Sequence, residues 1–223
     1  MDTFSQAKEL LIFALLIIVP YIIGSIPFGL LIGLAFGIDI RGKGSGNIGA
    51  TNVQRTLGWF PGLASWILDT AKGFFPVYLT SYMLENKLFG QELAGISTGW
   101  PIALVGLAVI AGHCWSVFLK FRGGKGVSTT LGVVMALDWR MGIACFILWA
   151  IIVALTRYVS VASMITAILM PFGFIFLGAD PIFWVLCFAI AIAIVIKHKD
   201  NIKRLREGTE NKFGSGRNSA HKS

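Results

Sequence analysis

The sequence predicts an all-α polytopic membrane protein with seven transmembrane helices, one of them short. Of its 223 residues, 56% are hydrophobic and 13% are charged, whereas soluble domains have about 45–50% apolar and about 25% charged residues. The 26 glycines agree with this class, because glycine is more frequent in transmembrane helices than in soluble ones. The apolar residues also lie in long runs, and a helix needs roughly 20 such residues to cross a bilayer. A water-soluble globule does not fit this composition.

Prolines, glycines and charged residues divide the chain into seven apolar segments. The first contains Pro20 and Pro27, and the fourth is so short that it crosses only as a half-length helix extended by irregular backbone buried in protein. We predict segments at 10–37, 59–84, 99–118, 127–137, 139–155, 158–177 and 181–196. They form a single membrane domain over residues 1–223. An arrangement with five crossings keeps the same sidedness, and the sequence leaves this choice open.

Lys and Arg residues are distributed unequally between the two sides of the predicted bundle. Alternate connections hold 15 of the 19, eight of them between Lys197 and Lys222, while the opposite side has only Lys8, Lys87 and Arg140. Cytoplasmic loops carry the excess of Lys and Arg. We therefore expect the N-terminus outside and the C-terminus in the cytoplasm. With six acids outside and four inside, the formal charge of +8 divides into −3 and +11, and Asp69 and Lys72 cancel within the bundle.

The cysteines predict neither disulfides nor a metal site. Cys114, Cys145 and Cys187 lie in or beside apolar segments and have no C-x-x-C spacing. We expect no metal and no cofactor. Because the positive charge is concentrated in loops between membrane segments, we also expect no nucleic-acid partner.

Two features inside the segments concern packing. Gly29, Gly33 and Gly37 recur every four residues, and such a stripe allows another helix to approach closely. Asp69 and Lys72 are three residues apart in an apolar helix, so they can share a face and pair. The pair either supports the adjoining loop or contacts substrate, and the sequence leaves both alternatives open.

The first loop, residues 38–58, is predicted to bind a phosphate group. It concentrates small residues, hydroxyls, amides and cations, so backbone N–H groups and side-chain donors can converge on one anion. Arg55 is the cation best suited to bidentate binding. The candidate residues in this loop are Arg41, Lys43, Gly44, Ser45, Asn47, Thr51, Asn52 and Arg55.

The second loop, residues 112–130, has the composition of a glycine-rich anion cradle. Its glycines free the backbone to approach an anion, and Lys125 supplies a point charge. It differs from a nucleotide P-loop, because Gly126 follows Lys125 where that motif requires Ser or Thr, so ATP binding is not expected. The candidate residues are His113, Lys120, Gly123, Gly124, Lys125, Gly126, Ser128 and Thr129.

The third loop, residues 197–214, leaves the last segment as a short basic helix. Ile202 and Leu205 are three residues apart, as in an interfacial helix, and each Lys or Arg near an anionic leaflet contributes on the order of 1 kcal/mol. Membrane lipids are therefore expected partners. The candidate site residues are His198, Asn201, Arg204 and Glu210.

The three loops together resemble the motifs of the bacterial acyl-phosphate-dependent glycerol-3-phosphate acyltransferases. The similar stretches are GSGNIGATNVQRTLG, GHCWSVFLKFRGGKGVSTTLG and KHKDNIKRLREGTENKFG, with LDTAKGFFPV at 68–77. The resemblance implies acyl transfer from a long-chain acyl phosphate to glycerol 3-phosphate, giving lysophosphatidic acid and phosphate at the cytoplasmic face of the bacterial inner membrane. We expect these two substrates as partners and a monomer.

The proton acceptor for the attacking hydroxyl is the less certain part of the chemistry. Many other glycerolipid acyltransferases share an H-x4-D motif, but Phe118 stands where His113 would need the Asp. The resemblance implies substrate-assisted catalysis, in which an oxygen of the acyl phosphate accepts the proton and no acyl-enzyme forms. His113 and His198 then position phosphate or act as the general base, and Ser45 as an acylated nucleophile is a weaker hypothesis. The catalytic candidates are Ser45, Arg55, His113, Lys125, His198 and Asn201.

A transporter of a phosphorylated solute is the alternative function. Broken helices and the pair of Asp69 and Lys72 within the membrane favour it. A transporter should place its binding groups near the bilayer midplane, whereas nearly all polar candidates here lie at one surface. The sequence therefore favours the enzyme.

Overall fold

The computed structural model describes residues 3–89 and 97–214, with side chains from residue 6 onward. These residues form ten α-helices and two short 3-10 turns, and this part of the chain contains no strand. The helices are α1 (Thr3–Ser25), α2 (Phe28–Ala35), α3 (Ala50–Leu57), α4 (Trp59–Glu85), α5 (Gly99–Cys114), α6 (Val127–Leu137), α7 (Trp139–Thr156), α8 (Val159–Phe176), α9 (Pro181–Lys197) and α10 (Lys199–Arg206). The all-α prediction is confirmed for the described residues.

Several of these helices are long and apolar enough to cross a bilayer. Within the described residues, four stretches qualify by themselves: Gln6–Ala35, Gly99–Leu119, Trp139–Thr156 and Val159–Phe176. A fifth is the pair of α9 and α10 if it is counted as one span bent by 54°. The chain is therefore a multi-pass membrane protein, while the seven crossings and their orientation remain predictions.

The first predicted segment breaks at only one of its two prolines. Helix α1 continues through Pro20 and ends at Ser25, and α2 begins immediately after Pro27. The break frees backbone carbonyl groups that need new partners. Lys72 Nζ on α4 donates to the Ile26 carbonyl oxygen at 2.8 Å. The intramembrane lysine thus supports the break between α1 and α2, one of the two alternatives that the sequence left open.

The predicted glycine stripe packs mainly against the first loop. A Cβ atom at Gly29 would lie 1.9 Å from the Ile48 carbonyl oxygen, and one at Gly33 would lie 2.7 Å from Ile40 Cγ2. A serine side chain of α4 also borders Gly29. Gly37 lies beyond the end of α2, where a Cβ atom would meet no neighbour. Close packing is confirmed at Gly29 and Gly33, but the partner is chiefly a loop rather than another helix.

Glycines also bring helices into backbone contact near the loops. Helix α4 packs along α6, and a Cβ atom at Gly73 would lie 2.1 Å from the Thr129 carbonyl oxygen. On the other helix, a Cβ atom at Gly132 would lie 2.0 Å from the Thr70 carbonyl oxygen. Small residues at such crossings let two backbones approach closely. The start of α6 is therefore held in a defined position against α4.

Large apolar side chains cover the outside of the bundle. Leu10, Leu155 and Phe176 are 72%, 80% and 89% exposed. Contiguous apolar surface of this kind is unfavourable in water and is the surface that a bilayer solvates. The polar side chains that carry chemistry are instead gathered at the loops.

Candidate active site

The first loop is folded around the side chain of Asn52. Asn52 is buried, and its Nδ2 donates to the carbonyl oxygens of Ile40 at 3.0 Å and Lys43 at 3.1 Å. Its Oδ1 accepts from the Ser45 backbone N–H at 2.8 Å. Gly44 has φ +57°, and a Cβ atom there would lie 2.3 Å from Asn52 Oδ1. Asn52 and Gly44 therefore shape the loop that presents Ser45, a structural role where the sequence predicted substrate binding.

Helix α3 offers an open N-terminus and one unpaired cation. The Gly49 N–H donates to Asn47 Oδ1 at 2.9 Å, and no side chain caps the first turn of α3. The free N–H groups of such a turn can bind an anion. Arg55, on the last turn, is partly buried, and its side chain makes no hydrogen bond or ion pair with any other described residue. A guanidinium in this state is suited to an incoming phosphate.

The second loop is packed on His113. The N–H groups of Gly123 and Gly124 donate to the carbonyl oxygens of Cys114 at 3.3 Å and His113 at 3.0 Å. No side chain fits at Gly124, because a Cβ atom would lie 2.2 Å from His113 Nε2. Gly126 has φ +83° and begins α6 without a side-chain cap. Gly123 and Gly124 thus fit the loop to the histidine, while the uncapped start of α6 is the part available to an anion.

A chain of hydrogen bonds joins the second and third loops. Lys125 Nζ donates to Asn201 Oδ1, and Asn201 Nδ2 donates to Glu210 Oε1 at 2.6 Å. Glu210 also accepts from Ser160 Oγ at 2.8 Å and from Arg204 Nε at 2.8 Å. Burial alone would raise the pKa of Glu210, but these hydrogen bonds outweigh it, so the pKa of the carboxyl lies below its usual range. Glu210 is therefore a carboxylate that orients Asn201 and Arg204.

Lys125 is the cation at the centre of this chain. Burial lowers the pKa of its ammonium group from the usual 10.5 to about 8, with nearby Glu210 acting in the opposite direction. The side chain is still protonated at neutral pH. It therefore brings one positive charge to the N-terminus of α6.

His198 is held in one tautomer by the backbone. Its ring is buried, and Nδ1 lies 2.8 Å from the Ile194 carbonyl oxygen. A carbonyl oxygen can only accept, so Nδ1 carries the proton of the neutral ring and Nε2 is an acceptor. His198 can thus receive a hydrogen bond from a hydroxyl.

Residues from all three loops line one cavity of about 380 Å³. All six catalytic candidates line it, as do seven of the predicted phosphate-binding residues: Asn47, Thr51, Asn52, Gly126, Ser128, Arg204 and Glu210. Its polar lining comes from the loops and helix ends, whereas its apolar lining comes from the interiors of α4, α6, α7 and α8. The cavity therefore extends from the loops into the bundle.

The other predicted phosphate-binding residues do not reach this cavity. They are Arg41, Lys43, Gly44, Lys120, Gly123, Gly124 and Thr129. Arg41 is paired with Asp39, its Nη2 lying 2.6 Å from Oδ2, and Lys43 and Lys120 are exposed. Thr129 is buried against α4. A run of local donors shows where a loop binds anions but does not show which side chains point inward.

The structure also brings to the site an acid that H-x4-D spacing could not reveal. Asp69 Oδ1 on α4 lies 3.7 Å from His113 Nδ1 on α5 and 2.7 Å from Lys72 Nζ. Both Asp69 and His113 line the cavity. The signal in the sequence was an acidic residue inside an apolar helix, which marks a candidate site without identifying its partner.

The apolar wall of the cavity was not predicted. Trp66, Phe146 and Trp149 form part of it, with ring centroids of the successive pairs 5.8 Å and 6.2 Å apart. Trp149 Nε1 donates to Ser163 Oγ at 3.2 Å. Apolar side chains facing a cavity and those facing lipid have the same composition, so the sequence carries no signal that separates them.

No metal centre is evident in the described ranges, since residues 6–89 and 97–214 hold no group of three or more His, Cys, Asp or Glu suited to an ion. The polar groups of the cavity are cations, amides, hydroxyls and imidazoles, with the carboxylates of Asp69 and Glu210 engaged by basic or amide groups of the protein. Their chemistry favours phosphate and hydroxyl ligands.

Comparisons with known proteins agree with this chemistry. The family model for glycerol-3-phosphate acyltransferase matches residues 14–208. A glycerol-3-phosphate acyltransferase of Geobacter sulfurreducens is 45% identical over 195 residues, covering 87% of this chain and 94% of the relative. Another, of Rubrobacter xylanophilus, is 39% identical over 201 residues, covering 90% and 94%.

Two solved structures share the fold. The crystal structure of PlsY, an integral membrane glycerol 3-phosphate acyltransferase, in its glycerol 3-phosphate form has a TM-score of 0.82 and 38% identity, covering 91% of this chain and 96% of that chain. The lysophosphatidic acid form gives a TM-score of 0.80 and 37% identity. The similarity thus extends over nearly the whole length of both proteins.

Proposed function

Because the chain belongs to the glycerol-3-phosphate acyltransferase family, we propose that it transfers a fatty acyl group from acyl phosphate to glycerol 3-phosphate. The products are 1-acyl-glycerol 3-phosphate and inorganic phosphate. This reaction is the first membrane step of phospholipid synthesis. We place it at the cytoplasmic face of the bacterial inner membrane, as the distribution of Lys and Arg predicts.

The observation that carries the proposal is the pair of uncapped helix N-termini opening on one cavity. The first residues of α3 and of α6 both line it, as do Arg55 on the last turn of α3 and Lys125 just before α6. Each substrate carries a phosphate, so the site must offset up to about four negative charges. Fixed cations and N–H dipoles do so in a partly dry cavity without reorganising during reaction.

The apolar part of the cavity supports a fatty acyl substrate. Buried Val134, Ala167 and Met170 continue the lining from the polar loops into the bundle. A long acyl chain is stabilised by such a wall, since apolar burial contributes about 0.8 kcal/mol per CH₂ group. The solved relative in its glycerol 3-phosphate and lysophosphatidic acid forms binds one ligand with a phosphate and one with a phosphate and an acyl chain.

The chemistry proceeds by direct transfer. A hydroxyl oxygen of glycerol 3-phosphate bonds to the acyl carbon, the bond from that carbon to the phosphate oxygen breaks, and phosphate leaves with the electron pair. The hydroxyl proton passes to an oxygen of the same phosphate. The mixed anhydride is already activated, so no acyl-enzyme is required. Arg55 and Lys125 stabilise charge on the phosphates, and Ser45 and Asn201 orient them.

Transport of a phosphorylated solute has no comparable support. Lys72 is engaged with the Ile26 carbonyl group, and Asp69 lies between Lys72 and His113. The intramembrane charges that favoured a transporter thus have partners inside the protein. The Lys and Arg residues that line the cavity, Arg55, Lys125 and Arg204, lie at its loop end.

The proposal is tested with purified protein in lipid cubic phase or detergent. We expect acyl phosphate and glycerol 3-phosphate together to give phosphate and lysophosphatidate in equal amounts. Acyl-CoA in place of acyl phosphate should give no comparable turnover. Absence of turnover with acyl phosphate, or equal turnover with acyl-CoA alone, would contradict the proposed donor.

A further inference from the structure

The buried histidine beside the second loop has one ring nitrogen without a partner. His113 is 4% exposed, and its Nδ1 is buried with no hydrogen-bond acceptor in the described part of the chain. Buried polar atoms in native structures are nearly always satisfied. The carboxylate oxygen Asp69 Oδ1 lies 3.7 Å from His113 Nδ1. That distance exceeds a hydrogen bond by about 0.5–0.8 Å.

The charges around this contact are balanced. Lys72 Nζ lies 2.7 Å from the same Asp69 oxygen, and both side chains are almost fully buried. Because Lys72 already neutralises Asp69, no net negative charge remains to make His113 a cation. The imidazole is therefore neutral, and one of its nitrogens is a donor and the other an acceptor.

The carboxylate decides which nitrogen carries the proton. A lone pair on Nδ1 would be repelled by the negatively charged carboxylate oxygen, whereas an N–H group on Nδ1 is attracted to it. The other ring nitrogen, Nε2, lies beside Gly124, and His113 is one of the residues that line the cavity. An unprotonated Nε2 accepts a hydrogen bond from a hydroxyl, but it cannot donate one to a phosphate oxygen.

We propose that Asp69, neutralised by Lys72, is a positioning residue that holds His113 with its proton on Nδ1, so that Nε2 accepts a hydrogen bond from a glycerol hydroxyl of the acceptor substrate. The inference rests on the proposed function for the identity of that substrate. It assigns His113 to the glycerol moiety rather than to either phosphate. His198 has the same tautomer, fixed by a carbonyl oxygen instead of a carboxylate.

Two double variants, each of which replaces the ion pair of Asp69 and Lys72 by uncharged side chains, distinguish a role of Asp69 in positioning His113 from a purely structural role. Asp69→Asn/Lys72→Met retains a carbonyl oxygen that can accept from His113 Nδ1, whereas Asp69→Leu/Lys72→Met retains none. Both double variants lose the hydrogen bond from Lys72 to the Ile26 carbonyl oxygen, so a difference between them does not come from that loss. Replacing a buried ion pair by uncharged groups is often neutral or stabilising, and thermal unfolding checks that both variants remain folded.

We expect kcat/KM for glycerol 3-phosphate to be on the order of tenfold lower in the Leu variant than in the Asn variant, because an unpaired buried nitrogen can then adopt either tautomer. The KM for acyl phosphate should agree between the two within about twofold. Equal kcat/KM values in the two variants would overturn the proposal, since a purely structural role predicts that result.

A spectroscopic measurement on the unmodified protein does not depend on the variants. Protein labelled with ¹⁵N-histidine, with His113 assigned through His113→Gln, should show Nδ1 protonated and Nε2 unprotonated at pH 8. Protonation of Nε2 instead would overturn the inference. An inactive wild-type protein with the expected tautomer would contradict the proposed function alone.

Discussion

Lys125 is a residue whose charge state changes near physiological pH. Burial places its pKa at about 8, and its Nζ donates to Asn201 beside the N-terminus of α6. Below that pH the ammonium group is charged and, in the proposed site, stabilises a phosphate, whereas above that pH the charge is lost. The acidic neighbour Glu210 remains ionised throughout this range, because its pKa lies below the usual value.

We therefore predict that kcat/KM for glycerol 3-phosphate falls as the pH rises through about 8, since kcat/KM reports the free enzyme. In Lys125→Arg the guanidinium keeps its charge, so the alkaline decline should move to higher pH even if the maximal rate is lower. Steady-state rates between pH 6 and 10 measure both. An unchanged alkaline decline in the Arg variant would show that another group titrates.

Arg55 is the second cation of the polar lining, and it has no hydrogen-bond or ion-pair partner within the described ranges. Arg55→Ala should lower kcat/KM on the order of 10²-fold, the usual loss for one donor to transition-state charge. Arg55→Lys should recover part of it, because the point charge returns without the bidentate geometry. Arg140→Ala, a cation paired with Asp138 away from the cavity, is the charge-matched control with wild-type rates. Near-normal activity in Arg55→Ala would contradict the assignment.

At the scale of elements, the contact between α4 and α6 holds the N-terminus of α6 in position at the cavity. At Gly73 and Gly132 the two backbones lie within van der Waals distance, and α6 begins at Val127, two residues after Lys125. Any side chain at this crossing must displace backbone atoms rather than a flexible side chain. The N-terminus of α6, where we propose that a phosphate binds, thus depends on the backbone contacts at Gly73 and Gly132.

Gly73→Ala should destabilise the protein by about 1–3 kcal/mol, as overpacking does, because the new methyl group meets the Thr129 carbonyl oxygen at 2.1 Å. Thermal unfolding in detergent measures the loss. Gly42→Ala is the matched control, since a Cβ atom there meets nothing within 4 Å. Equal midpoints for the two variants would show that the α4 and α6 contact adjusts freely.

Helix α8 supplies one side of the apolar wall. Ser163, Ala167 and Met170 lie four and three residues apart and share one face. Ala167 is seven residues beyond Ser160, the partner of Glu210, which places it about 10 Å deeper in the bundle. A larger side chain at position 167 should therefore shorten the space for an acyl chain.

We predict that Ala167→Phe lowers kcat/KM for palmitoyl phosphate on the order of tenfold relative to octanoyl phosphate. A loss of this size corresponds to about two buried methylene groups. Ile168→Phe changes the next residue, which is 48% exposed on the outer surface, and should keep the wild-type ratio. An assay in which the two acyl phosphates compete measures the ratio of their kcat/KM values in each variant. The same ratio in both variants would place the acyl chain elsewhere.

At the scale of the whole molecule, local composition was sufficient to predict the all-α membrane class and the three loops. Long apolar runs and glycine-rich basic stretches depend on neighbours in sequence, so they are visible without a structure. The contact of Asp69 with His113, and the support of the break at Ile26 by Lys72, join residues on different helices. Such contacts depend on tertiary packing, which spacing along the chain does not encode.

Side-chain direction was the second limit of sequence reasoning. Asn52 and Thr129 occur in the same polar loops as Ser45 and Ser128, yet Asn52 supports a backbone turn and Thr129 packs against α4. All four side chains can bind phosphate. Only the three-dimensional path of the loop decides which of them do.

The molecule joins two environments in one cavity. Its loops supply cations and N–H groups, and the interiors of four helices supply apolar walls. In the proposed reaction, a soluble and a lipid substrate meet there simultaneously. This arrangement leads to the central claim that the acyl group moves directly between two bound substrates.

Steady-state kinetics with both substrates varied tests that claim most directly. We predict intersecting double-reciprocal lines for product formation, and no release of phosphate from acyl phosphate when glycerol 3-phosphate is absent. Parallel lines, or a stoichiometric burst of phosphate in the absence of the acceptor, are the signature of a covalent acyl-enzyme. Either result would contradict direct transfer and would point to Ser45 as a nucleophile.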